Sequence, residues 1–254
     1  MPPRRPRNSE YFDLTHTVLP LRGLPREHEG TVVAQLSDLH VGTGTPSRRI
    51  RAAIRAVNRA KPDLVFLTGD FVTHVRYPLP LIPEVLEGLE PPTYAVLGNH
   101  DHFVGAREVR ASLVRLGYVV LQNEHAVVTV RDRPLSLIGV DDAVTHHDDV
   151  SRSFRDAPRD GTRLVLAHAP TTARDLPEDA GLACFSGHTH GGQLHVKRLT
   201  ARISAALGQP YLRGLYSVRD NWLYVNRGLA FGRGSLVPRI DSEPEVALFE
   251  LRAA

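Results

Sequence analysis

Thr31-Val32-Val33-Ala34-Gln35-Leu36-Ser37-Asp38-Leu39-His40 is a short run of β-branched and aliphatic residues that stops in a serine, a carboxylate and an imidazole. Apolar runs of this length bounded by polar residues read as buried strands. The pattern repeats downstream. Asp63-Leu64-Val65-Phe66-Leu67 leads into Gly69-Asp70, and Thr93-Tyr94-Ala95-Val96-Leu97 into Gly98-Asn99-His100-Asp101. Leu164-Val165-Leu166-Ala167 is followed by His168, and the run 182–186 by Gly187-His188-Thr189-His190. Open α/β sheets gather the carboxyl ends of their strands into one crevice, so residues far apart in sequence can meet there.

Between these runs, residues 46–60 carry Ile50, Ala53, Ile54 and Val57 on one helical face and Arg48, Arg51, Arg55 and Arg59 on another, the pattern of a surface helix. A second helix is expected over 106–116, with Gly117 as its stop signal. Further strands are expected at 119–121, 126–130, 135–140, 222–225 and 245–251, close enough together for two sheets packed face to face. The polar stretch 141–160 reads as a loop with a short helix. Residues 1–30 read as a basic tail and lead-in segment, and 31–254 as a single domain.

Composition narrows the class. Of the 254 residues, 42% are hydrophobic and 23% charged, which suits a soluble globular chain and excludes collagen, disorder and a membrane bundle. The net charge of +3 falls short of the clustered charge of a dedicated DNA binder. Cys184 is the only cysteine and lies in the apolar run Leu182-Ala183-Cys184-Phe185, so a buried structural thiol is expected and an intrachain disulfide is impossible. The arginine-bearing N-terminus has no apolar segment behind it. The expected location is cytoplasmic, with the basic tail able to touch anionic lipid at the inner face of the membrane.

The strand-end residues carry the chemistry. Asp38 and His40, like His188 and His190, stand two apart just beyond a strand, where a turning backbone can aim both side chains at one centre. Gly69, Gly98 and Gly187 precede Asp70, Asn99 and His188, and a residue without Cβ permits close backbone approach. Carboxylate, imidazole and amide donors without thiolate suit manganese, iron, zinc or magnesium. Singly, each cluster is ordinary turn chemistry. Together, five in order point to a metal site.

These residues resemble the calcineurin-like metallophosphoesterases, whose signature runs Asp-x-His, Gly-Asp, Gly-Asn-His-Asp/Glu, His and Gly-His-x-His. The resemblance runs from about Val32 to the C-terminal strand. Gly187-His188-Thr189-His190-Gly191-Gly192-Gln193 and Tyr224-Val225-Asn226-Arg227-Gly228-Leu229 are similar to the branch holding bacterial phosphodiesterases of the YkuE and YaeI type. The resemblance implies an α/β fold, a four-layer α/β/β/α sandwich of two mixed β-sheets. It also implies two divalent metal ions, with Asp38, His40 and His190 on one, Asn99, His168 and His188 on the other, and Asp70 bridging both. The activity implied is hydrolysis of a phosphodiester or pyrophosphate bond by a hydroxide between the two metals.

His100 is the expected proton donor to the leaving oxygen, with Asp101 orienting it. The second motif continues Gly69-Asp70-Phe71-Val72-Thr73-His74, without the arginine of the protein serine/threonine phosphatases, so no phosphoprotein is assigned. Expected substrates are a phosphate-ester small molecule, a nucleotide or a phospholipid head group, with a UDP-2,3-diacylglucosamine-type pyrophosphatase as the alternative. A nuclease ranks lower because only 6% of residues are aromatic and none interleave with basic runs. A scaffold that has lost catalysis ranks lower because all seven ligands and His100 are present. His74, His102, His146 and His147 lie in loops near the motifs and are expected to be solvent-exposed. Arg227 stays outside the catalytic list, and His195 and Trp222 are ambiguous, a strand-packed tryptophan being more often core than a stacking platform.

Overall fold

The computed structural model describes residues 11–42, 44–178, 181–192, 208–230 and 242–254. Its centre is the trio β2 (Val32–Leu36), β3 (Leu64–Thr68) and β4 (Thr93–Val96), mutually parallel and almost wholly buried. Strands covered on both faces need apolar side chains on both, which is why they read as unbroken runs. The short β5 (Val119–Val120) extends them on one side. On the other side β12 (Glu245–Ala253) pairs antiparallel with β2 and carries β1 (Asp13–Leu21) parallel at the sheet edge.

The second sheet also has six strands, in the order β10 (Gly214–Val218), β11 (Asn221–Val225), β9 (Ala183–Ser186), β8 (Arg163–Ala167), β7 (Arg133–Val140) and β6 (Glu124–Val130). Strands β11, β9, β8 and β7 are parallel, and antiparallel β10 and β6 close the edges. Both sheets are therefore mixed.

Leu64, Phe66, Leu164, Leu166, Phe185, Phe249 and their neighbours fill the space between the sheets. Outside the first sheet lie α1 (Ser47–Ala60), α2 (Leu81–Leu86) and α4 (Ala106–Arg115), which bury Ile50, Ile54, Val57, Ile82, Val109 and Leu113 against it. Outside the second sheet the cover is thin, a turn of helix α5 (Val150–Ser153) and a 3-10 turn at Pro170–Arg174. These are the four expected layers. As expected, α4 stops before Gly117, which takes a left-handed φ of 83°.

Strand β1 lies within the stretch assigned to a lead-in, so the sheet takes in residues N-terminal of Thr31. Its inward positions run Asp13, Thr15, Thr17, Leu19 and Leu21, so the strand is hydrophobic-in only in its C-terminal half, and Leu14 and Val18 face outward. Trp222 packs against the inter-sheet core and donates from Nε1 to the Pro20 carbonyl at 2.6 Å. Cys184 is buried and its thiol is pushed up to about 12 by burial, so it is no nucleophile. Gln193 and His195 lie outside the described residues. Among the described residues, no helix is long and apolar enough to cross a membrane.

Candidate metal centre

All five motif segments leave carboxyl ends of parallel strands on the same side of the two sheets. Asp38 and His40 follow β2, Asp70 follows β3, and Asn99 opens the helix α3 (Asn99–Val104) after β4. His168 follows β8, and His188 and His190 follow β9. The structure brings all seven together. Ligating atoms of Asp38, His40, Asp70 and His190 lie within 4.8 Å of one another, and so do those of Asp70, His168 and His188. Asp70 belongs to both groups. Asn99 joins the second, with Oδ1 3.0 Å from His188 Nδ1 and 3.2 Å from His168 Nε2.

The ring orientations are set from behind. His40 Nδ1 donates to the Val72 carbonyl at 3.0 Å and His168 Nδ1 to the Thr68 carbonyl at 2.7 Å. A neutral imidazole protonated at Nδ1 presents a lone pair at Nε2. Those Nε2 atoms point into the centre, 3.6 Å and 3.3 Å from Asp70 Oδ2. His190 Nε2 stands 3.2 Å from His40 Nε2 and 3.4 Å from Asp38 Oδ1. Donors around one first-row cation at bond lengths near 2.1 Å are separated by about 3 to 3.5 Å, so the pocket has the spacing of a coordination shell.

Charge favours a cation as well. Burial pushes His40 down to about 4, against the pull of Asp70, so it is a neutral donor at neutral pH. Burial would raise Asp70, but His168, His40 and His100 outweigh it and hold the carboxyl well below the usual range. Burial also works against a charged His168, yet Asp70, with Asp38 and Asp142, draws it well above its ordinary value. A buried imidazole made more basic by three carboxylates marks negative potential that a cation would satisfy. The donor set and the field both fit divalent metal.

The backbone is bent to make this arrangement. Asp38, His40, Asp70, His188 and His190 all have φ between 42° and 70°, the left-handed region that non-glycine residues rarely occupy. Such strain persists only where the surroundings enforce it, and here it coincides with the ligands. The segment 226–230 supplies part of that enforcement. Asn226 donates its amide to Ser186, Leu229 to Ser37 and Ala230 to Asp38, lacing the β2 and β9 motif loops together. The sequence similarity in this segment was visible, but its lacing role was not, because it rests on backbone amides.

Gly98 stands tight against the Asp70 loop. Its φ of −111° is open to any residue, but a Cβ there would sit 2.3 Å from Asp70 Oδ1 and 2.6 Å from the Asp70 amide nitrogen. Gly98→Ala therefore tests sterics alone, and it is expected to weaken metal binding about ten- to hundredfold in a manganese titration. Unchanged affinity would show that the Asp70 loop yields freely.

His100 lies at the edge of the centre, its Nε2 3.9 Å from Asp70 Oδ2 and its ring 4.3 Å from that of exposed His74. Burial holds it below its ordinary value, with Asp70 opposing and His74 assisting. Asp101 does not hydrogen-bond the His100 ring. Third in α3, its carboxylate turns back to accept the Gly98 amide at 2.9 Å and reaches across to the amides of Phe71 at 2.8 Å and Val72 at 3.2 Å. Asp101 thus ties the third motif to the second. Burial and Asp70 push it up to about 7, against these amide bonds.

His74, His146 and His147 are exposed as expected. His102 is not. Its side chain is 7% exposed, with Nε2 2.8 Å from Asp141 Oδ1 and its ring stacked on His147 at 4.0 Å. Asp141 follows β7, a strand end that carried no motif signal. Arg227 is ion-paired with Asp13 at 3.2 Å and Glu245 at 3.3 Å.

The His102–Asp141 pair gives a pH signature. Burial opposes the imidazolium, but Asp141 and Asp142 outweigh it and raise His102. Burial would raise Asp141, but the His102 hydrogen bond and charge lower it. The raised His102 contributes fully below its unfolded pKa of about 6.5, and the lowered Asp141 above about 3.9, so the pair stabilises most between about pH 4 and 6.5. His102→Gln is expected to cost about 1 to 2 kcal/mol more in urea unfolding at pH 6 than at pH 9. An equal cost at both would mean the pair is uncharged.

Comparison with known proteins agrees with this geometry. Residues 31–192 match the model of the calcineurin-like phosphoesterases. The chain is 28% identical to the uncharacterized metallophosphoesterase YkuE of Bacillus subtilis, over 91% of this chain and 82% of that one. It is 32% identical to the phosphodiesterase YaeI of Escherichia coli, over 85% and 80%. It is 25% identical to the UDP-2,3-diacylglucosamine pyrophosphatase LpxG of Chlamydia trachomatis, over 86% and 83%.

Proposed function

We propose, from the premise that this chain belongs to the calcineurin-like phosphoesterase family, that it hydrolyses a phosphodiester or pyrophosphate bond with the help of two divalent metal ions. The observation that carries this is Asp70, a single buried carboxylate common to both ligand groups. Asp38, His40 and His190 would complete one metal's shell, and Asn99, His168 and His188 the other's. Metal ions so held supply Lewis acidity toward the phosphoryl oxygens and an acidified water.

The chain's own groups do the rest. The carbonyls of Val72 and Thr68 keep His40 and His168 in the tautomer that leaves Nε2 available. Asp101 holds the loop bearing Asp70 against the start of α3, fixing His100 beside the centre. His100 is the group placed to hand a proton to the departing oxygen, and no covalent enzyme intermediate is required. The substrate is a small phosphate ester, a nucleotide or a phospholipid head group. A UDP-2,3-diacylglucosamine-type pyrophosphatase is the alternative, on the strength of the similarity to LpxG.

The test uses metal-stripped protein refilled with manganese, iron, zinc or magnesium, assayed on bis(p-nitrophenyl) phosphate and p-nitrophenyl phosphate. Diester turnover that depends on added metal is expected. His100→Ala should lower kcat about a hundredfold with KM little changed. No turnover with any metal would favour a catalytically silent scaffold.

A further inference from the structure

The large apolar side chains Val75, Tyr77, Phe103 and Val144 are 42%, 61%, 64% and 38% exposed. They stand on the segments that follow β3, β4 and β7, the same strand ends that carry Asp70, Asn99 and Asp141. Phe103 has its ring 6.4 Å from that of His100, and His74, next to Val75, lies against His100 on another side. The segment is tied down at two points. Arg76 donates to the Val104 carbonyl at 2.8 Å and pairs with Glu108, while the Tyr77 hydroxyl donates to the Gly42 carbonyl at 2.7 Å.

Large exposed apolar side chains gathered on the segments around a polar centre mark a surface for a partner. Val144 stands on an acidic segment, with Asp148 and Asp149 after it, and is left out; the charges around Val75, Tyr77 and Phe103 choose the occupant. Arg76 is neutralised by Glu108, but Arg107 and Arg110 stand exposed on α4, which begins directly behind Phe103. Apolar side chains at the tip with arginines behind them are the recipe for insertion at an anionic bilayer surface, where the rings enter the head-group region and the guanidiniums meet phosphate.

We propose that the mouth of the metal centre docks on an anionic lipid bilayer through Val75, Tyr77 and Phe103, with Arg107 and Arg110 meeting lipid phosphates. This deepens the phosphoesterase reading, on which it rests for what happens to a head group once there. Docking would bring His100 and the Asp70 centre to the depth of lipid phosphates.

The experiment floats the full chain with vesicles of phosphatidylcholine alone or mixed with phosphatidylglycerol. Binding is expected to the anionic vesicles, and combined Val75→Ser, Tyr77→Ser and Phe103→Ser should weaken it about tenfold or more. Val127→Ser, at an equally exposed position on β6, should not. Phe103→Trp keeps the surface intact and should shift its emission to the blue on anionic vesicles, whereas Val127→Trp should not. Binding to no vesicle, or binding retained by the triple serine variant, overturns the proposal, the second result pointing to the basic N-terminal residues. Self-association of the wild type that the serines abolish, without vesicle binding, would make the patch a protein contact and overturns it too. Turnover of bis(p-nitrophenyl) phosphate on the same preparation keeps the two readings apart. Vesicle binding without turnover removes the hydrolase and spares the surface, and turnover without binding does the reverse.

Discussion

Asp70→Ala is expected to lower metal-dependent diester hydrolysis by at least about a thousandfold, some 4 kcal/mol of transition-state stabilisation. Its Oδ2 is the atom that His168, His40 and His100 all face, at 3.3, 3.6 and 3.9 Å. Its Oδ1 accepts the His100 amide at 3.0 Å. Removing the carboxylate therefore strips a donor from both groups at once and unfastens the start of α3. Asp70→Asn separates these effects, since an amide can still accept from His100 but carries no charge. If the loss comes from metal binding, both variants should fail alike and both should need far more manganese. Substantial turnover by Asp70→Ala at ordinary metal concentration would end the shared-carboxylate reading.

Phe185→Ala should cost about 3 to 5 kcal/mol in urea unfolding, a large part of the 5 to 15 kcal/mol that holds a domain together. Phe185 is fully buried between the sheets, edge-on to Phe66 at 5.2 Å and to Phe249 at 4.9 Å, with Tyr224 edge-on to Phe249 at 4.6 Å. Deleting the middle ring leaves a cavity that strands on both sides cannot easily close. Phe185→Leu, which keeps most of the volume, should cost clearly less. Equal costs would mean that aromatic geometry, and not filled space, sets the energy.

Much of this was legible because it obeys short-range rules. The parallel strands β2, β3, β4, β8 and β9 are continuous apolar runs, and the ligands stand immediately after them. What escaped obeys other rules. Strand β1 turns Leu14 and Val18 outward and is hydrophobic-in only at Leu19 and Leu21, and its inward Thr15 hydrogen-bonds buried Glu245 at 2.7 Å, a pairing 230 residues apart. Helix α2 is only six residues long with Pro83 inside it. Edge strand β10 is half exposed. In the site, Asp101 looked like a partner for His100 because it is its neighbour, but helical geometry sends adjacent side chains in different directions. The His102–Asp141 contact pairs two strand ends from different sheets, and no spacing within the chain announces it.

The division of ligands between the sheets has a mechanical side. Asp38, His40, Asp70 and Asn99 come from the first sheet, and His168, His188 and His190 from the second, so each ligand group draws on both. An ion held by either group would be a clasp across the seam where the two sheets meet, fastening their free ends as a cross-link would. Loading then tightens the whole sandwich in proportion to the free-energy of binding. A chelator would splay that edge as well as empty it, and heat resistance should rise and fall with occupancy even in a variant that has lost its proton donor.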